Sequence, residues 1–285
     1  MALLIDTGVS DWISNAELRQ QVLAHAPDTD IRLRDTLGNP DDIHMVAVSR
    51  LSDDLPAHVR VTRLKPDASA REIAEYMLAH ILRIQRNMDA HTANQTKSHW
   101  HSIRPRYAPD TVVGVLGLGH IGGRTARMLR DIGFQVKGWS RSPKTIEGIE
   151  TVHGPDTLAP MLSTCDYVAA ILPSTSQTNG LLNAKTLSTM KPGSTLLNAG
   201  RGALINQVDL IECLNTGPLG HAVLDVTNTE PLPPESPLWR HPNITITPHV
   251  SGWHLGDALK DVAENHRRLM ANEQLLHEVD RAQGY

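Results

Sequence analysis

The sequence predicts an α/β fold built on a doubly wound parallel sheet, accompanied by a second, smaller α/β part. Three observations carry that expectation. Apolar, β-branched runs alternate with helical stretches from Thr111 onward. One stretch, Thr111 to Lys144, reads T-V-V-G-V-L-G-L-G-H-I-G-G-R-T-A-R-M-L-R-D-I-G-F-Q-V-K-G-W-S-R-S-P-K, a strand, a glycine turn, a helix and a second strand in succession. And 285 residues exceed the usual size of one core, so two domains are expected.

Composition narrows the classes. An apolar fraction of 40% with 20% charged residues suits a chain with a real core. A net charge of −4, with no long basic run, offers nothing for nucleic acid or an anionic membrane to hold. The opening M-A-L-L-I-D-T-G lacks a basic n-region and no apolar run approaches bilayer length, so the cytoplasm is the expected location. Cys165 and Cys213 lie beside apolar residues, in no metal or redox spacing, and read as buried free thiols. His99-Trp100-His101 lacks a third ligand at helical or strand spacing, so no metal is expected. The single Phe leaves no stacking platform for single-stranded nucleic acid.

In order, Ala2 to Asp6 reads as a strand, Asn15 to Ala24 as a helix, and Ile31 to Leu33 and Met45 to Val48 as further strands, an alternation that fits a small α/β domain. Ser69 to Asn87 is a long helix: Ser69 caps it, Glu72 stands three residues on, and Ile73, Met77, Leu78, Ile81 and Leu82 line one side. His91 to Asp110 shows no strong period but carries Trp100, Ile103 and Tyr107. Thr111 to Leu116 is a strand buried on both faces; after the glycines, Ile121, Thr125, Met128, Leu129 and Ile132 share a helical face until Gly133 stops the helix. Phe134 to Trp139 closes the βαβ unit. Beyond it, Leu158 to Leu162 is a helix, Tyr167 to Leu172 a strand ending at Pro173, Ala184 to Met190 a helix and Ser194 to Asn198 a strand. Asn206 to Asn215 is a helix closed by Gly217, Ala222 to Val226 a strand, and Ile244 to Thr247 the last strand before Pro248.

Gly117, Gly119 and Gly122 stand in G-x-G-x-x-G spacing. In such a unit the first makes the tight turn, the second lets a pyrophosphate approach the backbone, and the third lets helix and strand pack closely. The phosphates then meet unpaired N–H groups at the helix start. Where an NAD-specific fold places a carboxylate for the ribose 2′-OH, this chain has Ser140, followed by Arg141, Ser142 and Lys144, with no acid between Asp131 and Glu147. Two cations and two hydroxyls suit a 2′-phosphate, so NADPH is the expected cofactor.

Ligands of a doubly wound sheet collect beyond the strand C-termini. Three strand ends there carry chemistry: Arg201 in N-A-G-R-G, Glu230 in D-V-T-N-T-E-P-L-P and His249 in T-P-H-V-S-G. An arginine, a carboxylate and a histidine at one sheet edge form a hydride-transfer constellation when a nicotinamide lies beside them.

G-L-G-H-I-G-G, W-S-R-S, L-P-S-T-S-Q-T, N-A-G-R-G, L-D-V-T-N-T-E-P-L-P, P-L-W-R-H-P-N and T-P-H-V-S-G, in this order, resemble the D-isomer-specific 2-hydroxyacid dehydrogenases, particularly the glyoxylate/hydroxypyruvate reductase branch. The ending V-A-E-N-H-R-R-L through V-D-R-A-Q-G-Y is similar too, and the likeness runs from about Glu72 to the C-terminus. The resemblance implies a Rossmann domain, residues 67–253, inserted into a smaller, shortened flavodoxin-like substrate domain, residues 1–66 and 254–285. It implies that Arg201 orients the substrate carboxylate and polarises the ketone, that His249 protonates the developing alkoxide, and that Glu230 favours the imidazolium. It places Gly117, Gly119, His120, Ile121, Gly122, Ser140, Arg141, Ser142 and Lys144, with Pro173, Thr178, Ala199, Gly200 and Asp225, around NADPH. His91 to Asp110 resembles the family's dimer arm, which implies a two-fold homodimer with Trp100 near the partner's active site. The substrate would be a small 2-keto acid.

One departure stands out. The family's substrate domain carries a glycine-rich V-x-A-G-x-D-like loop whose N–H groups hold the substrate carboxylate, yet this chain has no glycine between Gly38 and Gly114. The corresponding run is M-V-A-V-S-R-L-S-D-D-L, so a strand and its loop are expected to be missing, leaving Arg201 alone as anchor unless Arg50 substitutes. The alternatives are a catalytically weak NADP(H)-binding regulatory or partner-binding protein on the same fold, and a reductase of larger or non-carboxylate substrates.

Overall fold

The computed structural model describes residues 2–6, 15–33, 38–48, 56, 58–256 and 258–280. In chain order the elements are β1 (Ala2–Asp6), α1 (Asn15–Leu23), β2 (Ile31–Arg32), β3 (Ile43–Val48), β4 (Arg60–Arg63), α2 (Asp67–Gln85), α3 (Met88–Thr96), β5 (Val112–Leu116), α4 (His120–Asp131) and β6 (Gln135–Ser140). There follow β7 (Glu150–His153), α5 (Leu158–Leu162), β8 (Tyr167–Ala170), α6 (Ala184–Leu187), β9 (Ser194–Asn198), α7 (Gln207–Thr216), β10 (Leu219–Leu224), β11 (Ile244–Ile246) and α8 (Ala258–Met270). The chain divides into two compact units, residues 1–69 with 253–285 and residues 70–252, the first boundary falling within α2.

The first unit holds a four-stranded, wholly parallel sheet in the order β2-β1-β3-β4. That is the beginning of the 2-1-3-4-5 order of flavodoxin-like sheets. Successive side chains of a strand point to opposite faces, and the sheet uses both. Leu3, Ile5 and Met45 pack with Leu18 and Val22 of α1 and Leu259 and Val262 of α8. Leu4, Val46 and Val48 pack instead with Val59, Val61 and Val279. The β4 edge is covered: the Val279 N–H donates to Val61 O at 2.8 Å and the Arg63 N–H to His277 O at 3.0 Å. A two-pronged Arg60–Glu278 pair, both contacts at 2.7 Å, sits alongside. β4 is absent from the sequence reading, because R-V-T-R holds a single apolar residue, Val61, beside the buried but polar Thr62. Arg50 and the rest of the run after Val48, where the glycine loop is expected to be missing, lie outside the described residues.

α2 begins after Pro66, earlier than the cap read from sequence, and Ser69 Oγ donates to the carbonyl of His254 at 2.6 Å. It ends at Gln85, and Asn87, at φ 54°, separates it from α3.

The second unit holds a seven-stranded parallel sheet in the order β11-β10-β9-β8-β5-β6-β7. The chain starts in the middle at β5, moves outward to β6 and β7, then returns to β8 on the other side of β5. This reversal creates a crevice at the strand C-termini between β5 and β8. Both faces of its centre are covered, which explains the apolar runs of β5 and β8. On one face Val113 and Val115 meet Ile73, Met77 and Ile81 of α2 and Ala126 and Leu129 of α4. On the other, Leu116, Leu196 and Leu224 meet Leu162, Leu187 and Leu210 from α5, α6 and α7. Two helix starts are set by asparagine: Asn183 Oδ1 accepts from the Lys185 and Thr186 N–H groups, and Asn206 Oδ1 from those of Val208 and Asp209.

Two elements escape the sequence reading here. β7, E-T-V-H, is a partly exposed edge strand without a buried residue. α3 buries nothing either. The buried stripe of α4 is Gly122, Gly123, Thr125, Ala126 and Leu129, while Ile132, expected on it, is exposed.

Candidate functional site

The turn after β5 is built around its glycines. Gly117 has φ +98°, and a Cβ there would lie 2.6 Å from the Ile171 carbonyl oxygen beyond β8, so this glycine lets the two sides of the crevice meet. A Cβ on Gly122 would lie 1.7 Å from Gly117 O, so α4 packs on its own turn at glycine distance. Gly119 is the N-cap of α4 and a Cβ there would meet nothing within 4 Å. That open side, facing a helix start, suits a diphosphate. His120, exposed, and Ile121, half-buried, form the first turn of the helix.

Ser140 is the last residue of β6, buried, and its Oγ donates to Ser142 O at 2.8 Å. That bond curls the strand end and leaves Arg141 and Lys144 on the exposed outside of the bend. Arg141 Nη1 donates to Gln177 Oε1 at 3.3 Å, linking this bend to the loop after Pro173. The loop is shaped by Thr178, whose Oγ1 donates to Pro173 O at 2.6 Å and accepts from the Thr175 N–H at 2.8 Å. Between Asp131 and Glu147 the sequence holds no acid, so the bend itself carries positive charge, as a 2′-phosphate requires.

The arginine, acid and histidine are brought together by backbone packing. A Cβ on Gly202 would lie 2.1 Å from the Thr227 carbonyl carbon, so the Arg201 turn abuts the segment that carries Glu230. Gly200, whose N–H donates to Asn198 Oδ1, is pressed likewise against Leu172, beside buried Ala199. Glu230 Oε1 accepts from the Thr227 N–H at 2.9 Å and Oε2 from His249 Nδ1 at 2.8 Å. Burial alone would push the Glu230 carboxyl up. The His249 hydrogen bond, the Thr227 N–H and the charges of His249 and Arg201 outweigh it and hold the group below the usual carboxylate range.

Asp225 lies beneath this set, fully buried. Its Oδ1 accepts from Thr247 Oγ1 at 2.6 Å and the Val250 N–H at 2.9 Å, its Oδ2 from the Ser251 N–H at 3.0 Å. The carboxylate is thus largely spent on the turn that carries His249, although the resemblance places it beside the cofactor. Thr227, Gln177 and Gly202, which hold these groups in place, were not singled out from sequence. Only the glycine carried a signal, the G-R-G spacing itself.

A separate concave surface of about 550 Å³ is formed by α3 and the segment after it, lined by His91, Asn94, His99 and Trp100 among others. It includes none of the sheet-edge residues. His99 and His101 stack there at 5.5 Å, and among the described residues no group of three or more His, Cys, Asp or Glu is placed to hold a metal ion. Cys165 and Cys213 are buried, and burial pushes both thiols up, Cys165 to about 11.

So built, the larger unit is a dinucleotide-binding domain of the doubly wound kind. Residues 78–251 match the family model described as D-isomer specific 2-hydroxyacid dehydrogenase, NAD binding domain, and the chain belongs to that family. A glyoxylate/hydroxypyruvate reductase A of Serratia proteamaculans is 38% identical over 232 residues, 81% of this chain and 74% of that protein. A crystal structure of a D-isomer specific 2-hydroxyacid dehydrogenase from Xanthobacter autotrophicus, in complex with NADPH and MES, superposes with a TM-score of 0.89 at 32% identity, covering 100% of this chain and 99% of that one. The NADPH-dependent glyoxylate/hydroxypyruvate reductase of Sinorhizobium meliloti, in complex with NADP and sulfate, gives a TM-score of 0.88 at 28% identity and covers 100% of both chains.

Proposed function

We propose that this chain reduces small 2-keto acids, of the glyoxylate and hydroxypyruvate kind, to 2-hydroxy acids with NADPH. The observation that carries the reading is the His249–Glu230 pair, at 2.8 Å, set beside Arg201 at the strand edge of a dinucleotide-binding sheet. The names of the Serratia and Sinorhizobium relatives support the substrate class, and the NADPH and NADP in the two crystal structures support the cofactor.

Gly117, Gly119 and Gly122, with His120 and Ile121, would cradle the diphosphate. Ser140, Arg141, Ser142 and Lys144 would receive the 2′-phosphate, and Pro173, Thr178, Ala199, Gly200 and Asp225 would border the rest. The bound cofactor supplies the hydride. Arg201 holds the substrate carboxylate and polarises the carbonyl to be reduced. Glu230, kept ionised, accepts from Nδ1 and stabilises the imidazolium, so Nε2 is the nitrogen that passes a proton to the carbonyl oxygen as it becomes an alkoxide. Residues 1–66 and 254–285 would form the substrate domain.

Assembly and location belong to the same reading. A two-fold homodimer through α3 and the following segment is supported by a helix that buries nothing and by Trp100 at 98% and Tyr107 at 69% exposure. Trp100 would then reach toward the partner's site. A cytoplasmic location is supported by two free thiols and by the described helices, none long and apolar enough to cross a membrane. The deciding assay is NADPH oxidation against a panel of 2-keto acids and simple ketones. Turnover of glyoxylate or hydroxypyruvate that collapses in His249→Ala is the expected result. No turnover of any keto acid would reject the enzyme reading.

A further inference from the structure

We propose that Tyr76, on α2, is a positioning residue for His249, acting through Thr247 and Asp225. The inference rests on the reading of His249 as proton donor. The Tyr76 hydroxyl lies 2.7 Å from Thr247 Oγ1, and Thr247 Oγ1 lies 2.6 Å from Asp225 Oδ1. A threonine hydroxyl has one proton to give. Since Thr247 gives it to Asp225, the Tyr76 O–H is the donor to Thr247, and the chain of bonds has one direction, tyrosine to threonine to carboxylate. Burial pushes the Tyr76 phenol up, so the donor keeps its proton over the working range.

The end of that chain grips the backbone on both sides of His249. Before it, Thr247 is tied to Asp225 by its side chain; after it, Val250 and Ser251 are tied by their N–H groups. His249 itself has φ +55°, a left-handed backbone that costs a residue with a Cβ and persists only where the surroundings impose it. Its N–H is shared between Asp225 O at 2.9 Å and Thr247 O at 3.0 Å. Every one of these contacts converges on Thr247 or Asp225, and Tyr76 fixes the Thr247 rotamer from outside the turn. The phenol ring is itself held, its centroid 4.5 Å from that of His80. Tyr76 touches neither Glu230 nor the His249 ring by any hydrogen bond, so its effect is on where the imidazole stands.

Tyr76→Phe removes one hydroxyl and keeps the packing. We expect kcat for keto acid reduction to fall about 3- to 10-fold, the worth of one hydrogen bond, while KM for NADPH stays within about twofold. Thr247→Val should do the same and Thr247→Ser should restore most of the rate. The double variant Tyr76→Phe/Thr247→Val should be no slower than the slower single one, because the chain of bonds is already broken. Amide exchange at His249, Val250 and Ser251 should also quicken in Tyr76→Phe, a readout that needs no turnover. Unchanged kcat in folded Tyr76→Phe, or losses that multiply in the double variant, would overturn the proposal. Should the wild type reduce no keto acid, the functional reading fails alone; faster exchange at those amides would then still support the positioning role, and unchanged exchange would reject it.

Discussion

At the residue scale two positions decide what the site can do, and each makes a prediction. Arg141 stands on the exposed outside of the Ser140–Ser142 bend, with Nη1 donating to Gln177 Oε1. Arg141→Ala should therefore weaken NADPH by about 1.5–3 kcal/mol, the worth of a charged hydrogen bond, and leave NADH use nearly unchanged. Comparing kcat/KM for both cofactors measures it, and equal losses with the two would remove Arg141 from the 2′-phosphate. The second position is the His249–Glu230 pair. A keto acid reductase needs the proton on His249, so kcat/KM for reduction should fall as rising pH removes it. Glu230→Gln keeps the shape but drops the charge against Nδ1 and should lower kcat for reduction, whereas a flat pH profile in the wild type would take His249 out of the role. Stability runs the opposite way. Because the Glu230 carboxyl is held below its usual range, its contribution is full above the unfolded-state value and is lost as pH falls through the lowered one.

At the scale of elements, the β5–α4 turn separates two uses of glycine. Gly119→Ala adds a methyl to open space and should leave Tm nearly unchanged while weakening NADPH. Gly122→Ala drives a methyl into Gly117 O and should cost about 1–3 kcal/mol of stability, as overpacking does, seen as a lower Tm without any cofactor present. Similar Tm values for the two variants would contradict that division. The turn was legible because its glycines are required by backbone contacts that leave a fixed spacing in the sequence. The central strands were legible because burial on both faces demands uniformly apolar runs, as V-V-G-V-L shows. What could not be read is what touches little: β7 lies at an edge with no buried residue, and α3 buries none of M-D-A-H-T-A-N-Q-T, so neither needs a period. Among the strand-end groups, Arg201, Glu230 and His249 are chemically conspicuous and stand out, whereas Thr247 and Tyr76 are joined by a contact 171 positions long that no local pattern encodes.

At the scale of the whole molecule, an arm that exposes Trp100 and Tyr107 and whose helix α3 buries no residue asks for a partner surface. Light scattering at micromolar concentration should report a dimer, and Trp100→Ala should shift it toward monomer; a monomeric wild type would refute the assembly. The smaller unit raises a different matter, that of time. Its sheet is made entirely from the first 69 residues, yet one of the two helices covering one face, α8, and the strip closing the β4 edge come from residues beyond 252. During synthesis, β1 to β4 leave the ribosome long before α8 exists, whereas residues 70–252 are contiguous and can fold as they emerge. The nascent chain therefore carries a half-covered parallel sheet, with Leu3, Ile5 and Met45 awaiting their lid, through the making of the entire larger unit. Translation rate and chaperone supply, more than the stability of the finished fold, should set how much of this protein a cell recovers.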